Sequence, residues 1–301
     1  MSATIIEQHR HTELSGTPYR PIARIGVGTS ADVFEAEGPG GARRAVKVLR
    51  AVHGGAPEIA RRLTREARAL AALDHPNLVR VLDAGVTADG RPYFAMPMLV
   101  GETLHGRLKR VGVMDARTAA ALFLDVLEGL GAAHAAGLVH RDVKPANIFI
   151  VPRGKLLGPK GAPRPERCVL IDFGIAKIPG AAGGETTGGH ILGTPRYVAP
   201  EQIIGGRVDA RTDVYAAGLV LFEMIAGRGP YDADDTGGLL RAHLHARPRR
   251  LAELTRVSST LDHVVARALS KEPDRRWPSA RAFAEVLSRA VASDGRKEAS
   301  R

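Results

Sequence analysis

The apolar pattern of the chain changes period part-way along, and that change limits the folds open to it. From Tyr19 to about Leu99 short β-like runs dominate: "YRPIARIG", "DVFEA", "RAVKVL", "LVRVLDAGV" and "YFAMPML". One helical stretch interrupts them, "EIARRLTREARALAAL", in which Ile59, Leu63, Ala67 and Leu70 recur at helical spacing before the proline of "DHPN" stops it. After "VGETL" the runs become helical. "DARTAAALFLDVLEGLGAAHAAG" opens on Asp115, a good N-capping residue, and closes on Gly137, with Leu122, Val126 and Leu130 on one face. "RTDVYAAGLVLFEMIAG" is apolar nearly all round, as a helix buried at the centre of a lobe must be. Two further amphipathic helices lie near Leu261–Leu269 and Ala280–Val291. The predicted class is α+β and bilobal. A small β-rich lobe with one helix takes residues 18–100, a larger, mainly helical lobe takes 101–292, and a cleft lies between them. Residues 1–17 read as a flexible arm and 293–301 as a disordered polar tail.

Composition narrows the setting. The longest apolar stretch, "AAGLVLFEMIAG", is too short to span a bilayer and contains Glu223. The N-terminus lacks the pattern of a signal peptide. The single cysteine, Cys168, cannot close an internal disulfide, which points to a reducing, cytoplasmic home. A formal charge of +11 would suit a nucleic-acid partner, but the basic residues are scattered and aromatics are few. Nucleic acid is therefore not an expected partner. The pairs His9/His11 and His243/His245 lack the cysteine or acidic cluster that would complete a metal site.

Chemistry is concentrated in "HRDVKPAN", from His140 to Asn147, where an Asp, a Lys and an Asn stand between "LV" and the apolar Ile148, Phe149 and Ile150. Upstream, "IGVGTSADVFEA" sets Gly26 and Gly28 after a strand. Their amides could approach phosphate oxygens, or the stretch could be a turn between strands. A dinucleotide-binding loop would need a helix next, and "ADVFEA" reads as strand. In "RAVKVL", Ala45 and Lys47 share one face. A cation on a half-buried strand either snorkels or needs an anion, and Glu66 is a candidate partner.

With "LIDFGIAK" from Leu170 and "GTPRYVAPE" from Gly193, the chain resembles the eukaryotic-type (Hanks-type) protein kinases, most of all the bacterial serine/threonine kinases, from about Tyr19 to Ala292. The resemblance implies ATP and Mg²⁺ (or Mn²⁺) as cofactors and transfer of the γ-phosphoryl group to serine and threonine hydroxyls of protein substrates. Asp142 would accept or orient the proton of the incoming hydroxyl, and Lys144 would balance charge on the moving group. Asn147 and Asp172 would hold Mg²⁺. Lys47, steadied by Glu66, would grip the α- and β-phosphates beneath Gly26, Gly28 and the backbone of Thr29 and Ser30. Ile25 would join this nucleotide site, with Val33 and Ala45 above the adenine, Phe149 below it and Met96 at the back. Pro97–Leu99 would form the hinge, Pro97 offering its carbonyl and Leu99 its N–H. His140, Phe173 and Leu70 would pack in the core.

The same resemblance assigns Thr194 to bridge Asp142 and Lys144, which, with Lys144 itself, favours serine and threonine over tyrosine. Glu201 would pair with Arg276, and Asp213 would brace the catalytic loop. Arg141 and Lys177 would clamp a phosphothreonine, with Thr186 and Thr187 the sites of autophosphorylation in trans, which implies a transient homodimer. The chain departs from the family pattern at Ala31, which takes the place of the third glycine, and in a basic insert at 152–167, expected as an exposed loop. No membrane span is expected, so input would come from a partner protein or the cytosol, unless the sequence is a piece of a longer protein. A pseudokinase reading is disfavoured because Lys47, Asp142, Asn147 and Asp172 are all present. The threonine-bearing loop disfavours a small-molecule kinase.

Overall fold

The computed structural model describes residues 14–28, 31–50, 70–152, 165–173 and 195–298. They fall into two compact units. The described residues up to Asp74 join Val79–Leu99 in the first; His75–Leu78, Val100–Phe173 and the described residues from 195 onward form the second.

The first unit is a five-stranded antiparallel sheet, β1 (Arg20–Val27), β2 (Ala31–Glu37), β3 (Arg43–Leu49), β4 (Asp83–Val86) and β5 (Pro92–Pro97), in the order β1-β2-β3-β5-β4. Alternation decides its faces. Phe34, Ala36, Val46, Val48, Tyr93 and Ala95 are buried together, with Tyr19 and Leu14 over them. Tyr19 and Tyr93 meet edge to face at 5.8 Å and both donate to Asp83, at 3.1 and 3.0 Å. The predicted flexible arm therefore ends earlier than residue 17. Leu14 is only 2% exposed, and Ala88 N–H donates to the Ser15 carbonyl at 2.7 Å. A second correction concerns "LVRVLDAGV". Only Asp83–Val86 is strand, because Leu78 and Val79 belong to different units and the run is divided between them. Of the predicted helix, Leu70 and Ala71 are helical; most of that stretch lies outside the described residues.

The second unit contains the helices α1 (Leu104–Val111), α2 (Ala116–Ala135), α3 (Pro200–Ile203), α4 (Ala210–Ala226), α5 (Thr236–His245), α6 (Ser259–Ala268) and α7 (Ala280–Glu298). It also holds a small sheet in the order β6 (Glu102–Thr103), β7 (Ile148–Pro152), β8 (Glu166–Leu170). Helix α4 is its centre: every residue from Thr212 to Ile225 except Glu223 is buried. Asp115 caps α2 by accepting from Thr118 N–H at 2.9 Å, and Gly137 follows the helix at φ 76°. Helices α1 and α5 were not assigned from the sequence. Helix α7 runs to Glu298, so the stretch expected as a disordered tail is helical in its first part.

The insert is also shorter than its sequence boundaries. Pro152 pairs with Glu166 and Val151 with Arg167, so the ends of 152–167 belong to the β7–β8 ladder, and residues 153–164 lie outside the described residues. Arg107 of α1 anchors that ladder with two bonds to Glu166, at 2.7 and 3.1 Å. Among the described residues no helix is long and apolar enough to cross a membrane.

Candidate active site

In the first unit, strand register gathers much of the expected nucleotide set on one face. Gly26 lies opposite Val33, Val33 opposite Lys47, and Ala45 opposite Met96. Directly opposed residues share a face, so these five stand together on the side away from the buried cluster. Lys47 is half-buried there. A Cβ on Gly26 would come within 3.3 Å of the Val33 side chain, and one on Gly28 would lie 2.9 Å from the Ala31 carbonyl. That carbonyl accepts from Gly28 N–H at 2.8 Å. Glycine is therefore required where β1 turns into β2. Ala31 is already in strand β2 and 5% exposed, so a side chain is accommodated where the family pattern has its third glycine. Ile25 is 47% exposed. Pro97 ends β5. Ala95 accepts from Leu82 N–H on the β4 side, and the two-residue period points Pro97 the same way, past the end of the β4 ladder. Its missing N–H therefore costs no ladder bond.

In the second unit, the loop from His140 to Asn147 converges on one carboxylate. Lys144 Nζ lies 2.8 Å from Asp142 Oδ2, and Asn147 Nδ2 donates to Asp142 Oδ2 at 3.0 Å and to its carbonyl at 2.8 Å. The loop backbone is braced by Asp213, which is 1% exposed and accepts from His140 N–H and Arg141 N–H, both at 2.8 Å. His134 Nε2 lies 2.7 Å from the same carboxylate. Gln202 donates to the Arg141 carbonyl at 3.1 Å. Neither His134 nor Gln202 was singled out from the sequence: Gln202 reaches the loop from 61 residues along the chain, and His134 reaches Asp213 across 79, separations over which periodicity carries no information.

His140 is fully buried and stacks on Phe173 at 4.6 Å, tilted by 34°. Burial pushes its imidazole below the ordinary range despite the nearby Asp213, Asp142 and Asp172, so it is neutral and serves packing. Arg141 and Asp172 are the non-glycine residues with left-handed backbone among those described, at φ 64° and 62°. Such conformations cost about 1–3 kcal/mol each and persist where the surroundings impose them. Ile171 N–H donates to the Asn147 carbonyl at 2.9 Å, which ties the start of the "DFG" segment to the loop. Phe149, half-buried on β7, faces away from the fully buried Ile148 and Ile150 side of its strand.

The donor set suits a hard divalent cation. Because Asn147 spends its Nδ2 on Asp142, its amide presents Oδ1 as the remaining acceptor, and Asp172 supplies a carboxylate. An amide, one carboxylate and nucleotide phosphates are the oxygen ligands Mg²⁺ accepts. No cluster of three His, Cys, Asp or Glu that could hold a metal alone exists among the described residues.

A buried ion pair holds the helical frame. Arg276, with 1% of its surface exposed, donates to Glu201 at 2.7 and 2.8 Å and to the carbonyls of Ser270, Arg211 and Lys271. Burial alone would raise the Glu201 carboxyl, but Arg276 and Thr212 hold it below the ordinary range. Glu66, Lys177, Thr186, Thr187 and Thr194 lie outside the described residues, as do Thr29 and Ser30.

Known proteins show the family. A profile of the protein kinase domain matches residues 19–287, and the chain belongs to that family. It is 38% identical over 284 residues to serine/threonine-protein kinase Pkn1 of Myxococcus xanthus, covering 93% of this chain and 39% of that protein. It is 36% identical over 283 residues to PknA of Mycobacterium tuberculosis, covering 91% of this chain and 61% of that one. The chain thus spans less than two thirds of the length of these relatives. The solved PknI kinase domain of Mycobacterium tuberculosis superposes with a TM-score of 0.71 at 28% identity, over 93% of this chain and 98% of that one. The fold is that of a protein kinase, a small antiparallel-sheet lobe and a larger helical lobe.

Proposed function

We propose that this chain transfers the γ-phosphoryl group of ATP to serine and threonine hydroxyls of protein substrates. The observation that carries the reading is the convergence of Lys144 and Asn147 on the Asp142 carboxylate, in a loop whose backbone is fixed by Asp213. The loose transition state of phosphoryl transfer asks mainly for positioning and charge neutralisation. Asp142 accepts the hydroxyl proton as the new O–P bond forms and the bond to the β-phosphate oxygen breaks, releasing ADP. Lys144 offsets charge on the moving group, and Thr194 would join it and Asp142.

Lys47 holds the α- and β-phosphates, and Gly26 and Gly28 let backbone amides approach them. Val33, Ala45 and Met96 face the adenine beside Ile25, with the Pro97 carbonyl and Leu99 N–H as its polar contacts, and Phe149 would be a further apolar contact for the ring. Mg²⁺ held by Asn147 Oδ1 and Asp172 would neutralise phosphate charge. Residues 18–100 act as the nucleotide-side lobe and 101–292 as the substrate-side lobe. Phosphorylation of Thr186 or Thr187 by a second copy would create an anion for Arg141 and Lys177, in a cytoplasmic enzyme that dimerises transiently. The names of the bacterial relatives support the serine/threonine assignment. Incubation with ATP, Mg²⁺ and a general protein acceptor, followed by mass spectrometric mapping, tests it. Phosphate on serine or threonine of the acceptor and on Thr186 or Thr187 is expected; phosphate on neither overturns the reading.

A further inference from the structure

We propose that Gln202 is a positioning residue for phosphoryl transfer, setting where Asp142 stands by holding the carbonyl of the strained residue before it. The proposal rests on the phosphotransfer reading above. Arg141 has φ 64°, a conformation a residue with a Cβ keeps only when its surroundings impose it. Its N–H is held by Asp213 Oδ1 at 2.8 Å. Its carbonyl is held by Gln202 Nε2 at 3.1 Å. The peptide that leads into Asp142 is thus gripped at both ends of Arg141, by side chains from two different helices.

The other end of the Gln202 amide is also occupied. Oε1 accepts from Ala199 N–H at 3.0 Å, at the start of α3. Ala199 is fully buried and leads through Pro200 to Glu201, which is locked to Arg276. One planar amide therefore joins the buried frame of the helical unit to the backbone that carries Asp142. An amide serves both contacts at neutral pH, because it offers a donor and an acceptor at opposite ends, whereas an ionised carboxylate offers acceptors alone. A helix cap alone would need Oε1 and nothing more, so a carboxylate would cap as well. The donor to Arg141 is what capping leaves unexplained, and we assign it to the catalytic loop.

The test compares the 301-residue chain with Gln202→Glu and Gln202→Leu, following kcat, KM for ATP, melting temperature and hydrogen exchange of the 140–147 segment. Gln202→Glu keeps the acceptor for Ala199 and loses the donor to Arg141. It should melt with the wild type and keep its KM for ATP, yet lose kcat by about ten-fold, the factor one positioned hydrogen bond is worth. Its 140–147 amides should exchange faster. The kcat deficit should shrink as pH falls into the carboxyl range, where a protonated Glu donates again. Gln202→Leu should lose both kcat and melting temperature, without that pH response. Unchanged exchange in 140–147 together with wild-type kcat in Gln202→Glu would overturn the proposal. Because exchange is read without turnover, an inactive wild type with faster exchange in Gln202→Glu would refute the phosphotransfer reading while leaving the Gln202–Arg141 coupling established.

Discussion

Asn147 reaches Asp142 twice from a single nitrogen, donating to its carbonyl at 2.8 Å and to its carboxylate at 3.0 Å. The residue is 5% exposed, so the amide orientation is set by the loop itself. Asn147→Leu removes the donor and the oxygen assigned to Mg²⁺ together. Turnover should fall by ~100-fold or more, the scale of losing one preorganised electrostatic group. Steady-state kinetics at saturating ATP and raised Mg²⁺ checks this, and recovery to wild-type kcat would count against the assigned role.

The Glu201–Arg276 pair should govern stability rather than chemistry. Arg276→Met leaves a buried carboxylate with its main partner gone, which costs about 3–5 kcal/mol. Replacing both residues with apolar ones of similar volume should return much of that loss. Denaturant midpoints of wild type, Arg276→Met and the double variant measure it, and equal midpoints for wild type and Arg276→Met would contradict it.

His243 supplies a pH dependence. It is fully buried, with Nδ1 3.0 Å from the Tyr215 hydroxyl. Burial first, then the neighbouring Lys271 cation, push its imidazole down to about 4 from 6.5. In that window the unfolded chain binds a proton that the folded chain refuses. The stability this group contributes is therefore complete above about pH 6.5 and drains away as pH falls toward the folded value. Melting temperature should fall between pH 7 and 5 in the wild type and fall less in His243→Gln. Parallel curves would refute it.

Helices α4 and α6 meet at a glycine. A Cβ on Gly218 would come within 2.9 Å of Ala268 Cβ and 3.1 Å of Leu269 Cδ2. Gly218→Ala should destabilise by about 1–3 kcal/mol, as overpacking a tight contact does, despite the better helix propensity of alanine. Thermal unfolding reads the sign directly.

The clustering of the candidate loop was legible because it is local: Lys144 and Asn147 are close in sequence to Asp142 and both bond to it. The buried centre was legible too, since α4 is apolar on every side. What escaped was long-range or weakly patterned. Gln202 reaches the loop and His134 reaches the Asp213 that braces it, each from a distant part of the chain, and nothing in their own surroundings marks them. Helix α5 begins "TGGLL", and two glycines in its first turn hide the helical period. Leu14 is a lone apolar residue before a turn, with no repeat to show that it packs under the sheet. "LVRVLDAGV" alternates as a strand should, yet its residues are shared between two units, a division that alternation cannot express.

The most direct test of the central claim compares wild type with Asp142→Asn in two assays on the same preparations, transfer of labelled phosphate to a protein acceptor and equilibrium binding of ATP with Mg²⁺. The substitution keeps the shape of the side chain and removes the carboxylate that Lys144 and Asn147 hold. ATP affinity should be retained while transfer falls by ~100-fold or more, the contribution of a positioned acid–base group. Transfer at the wild-type rate in Asp142→Asn would contradict the account.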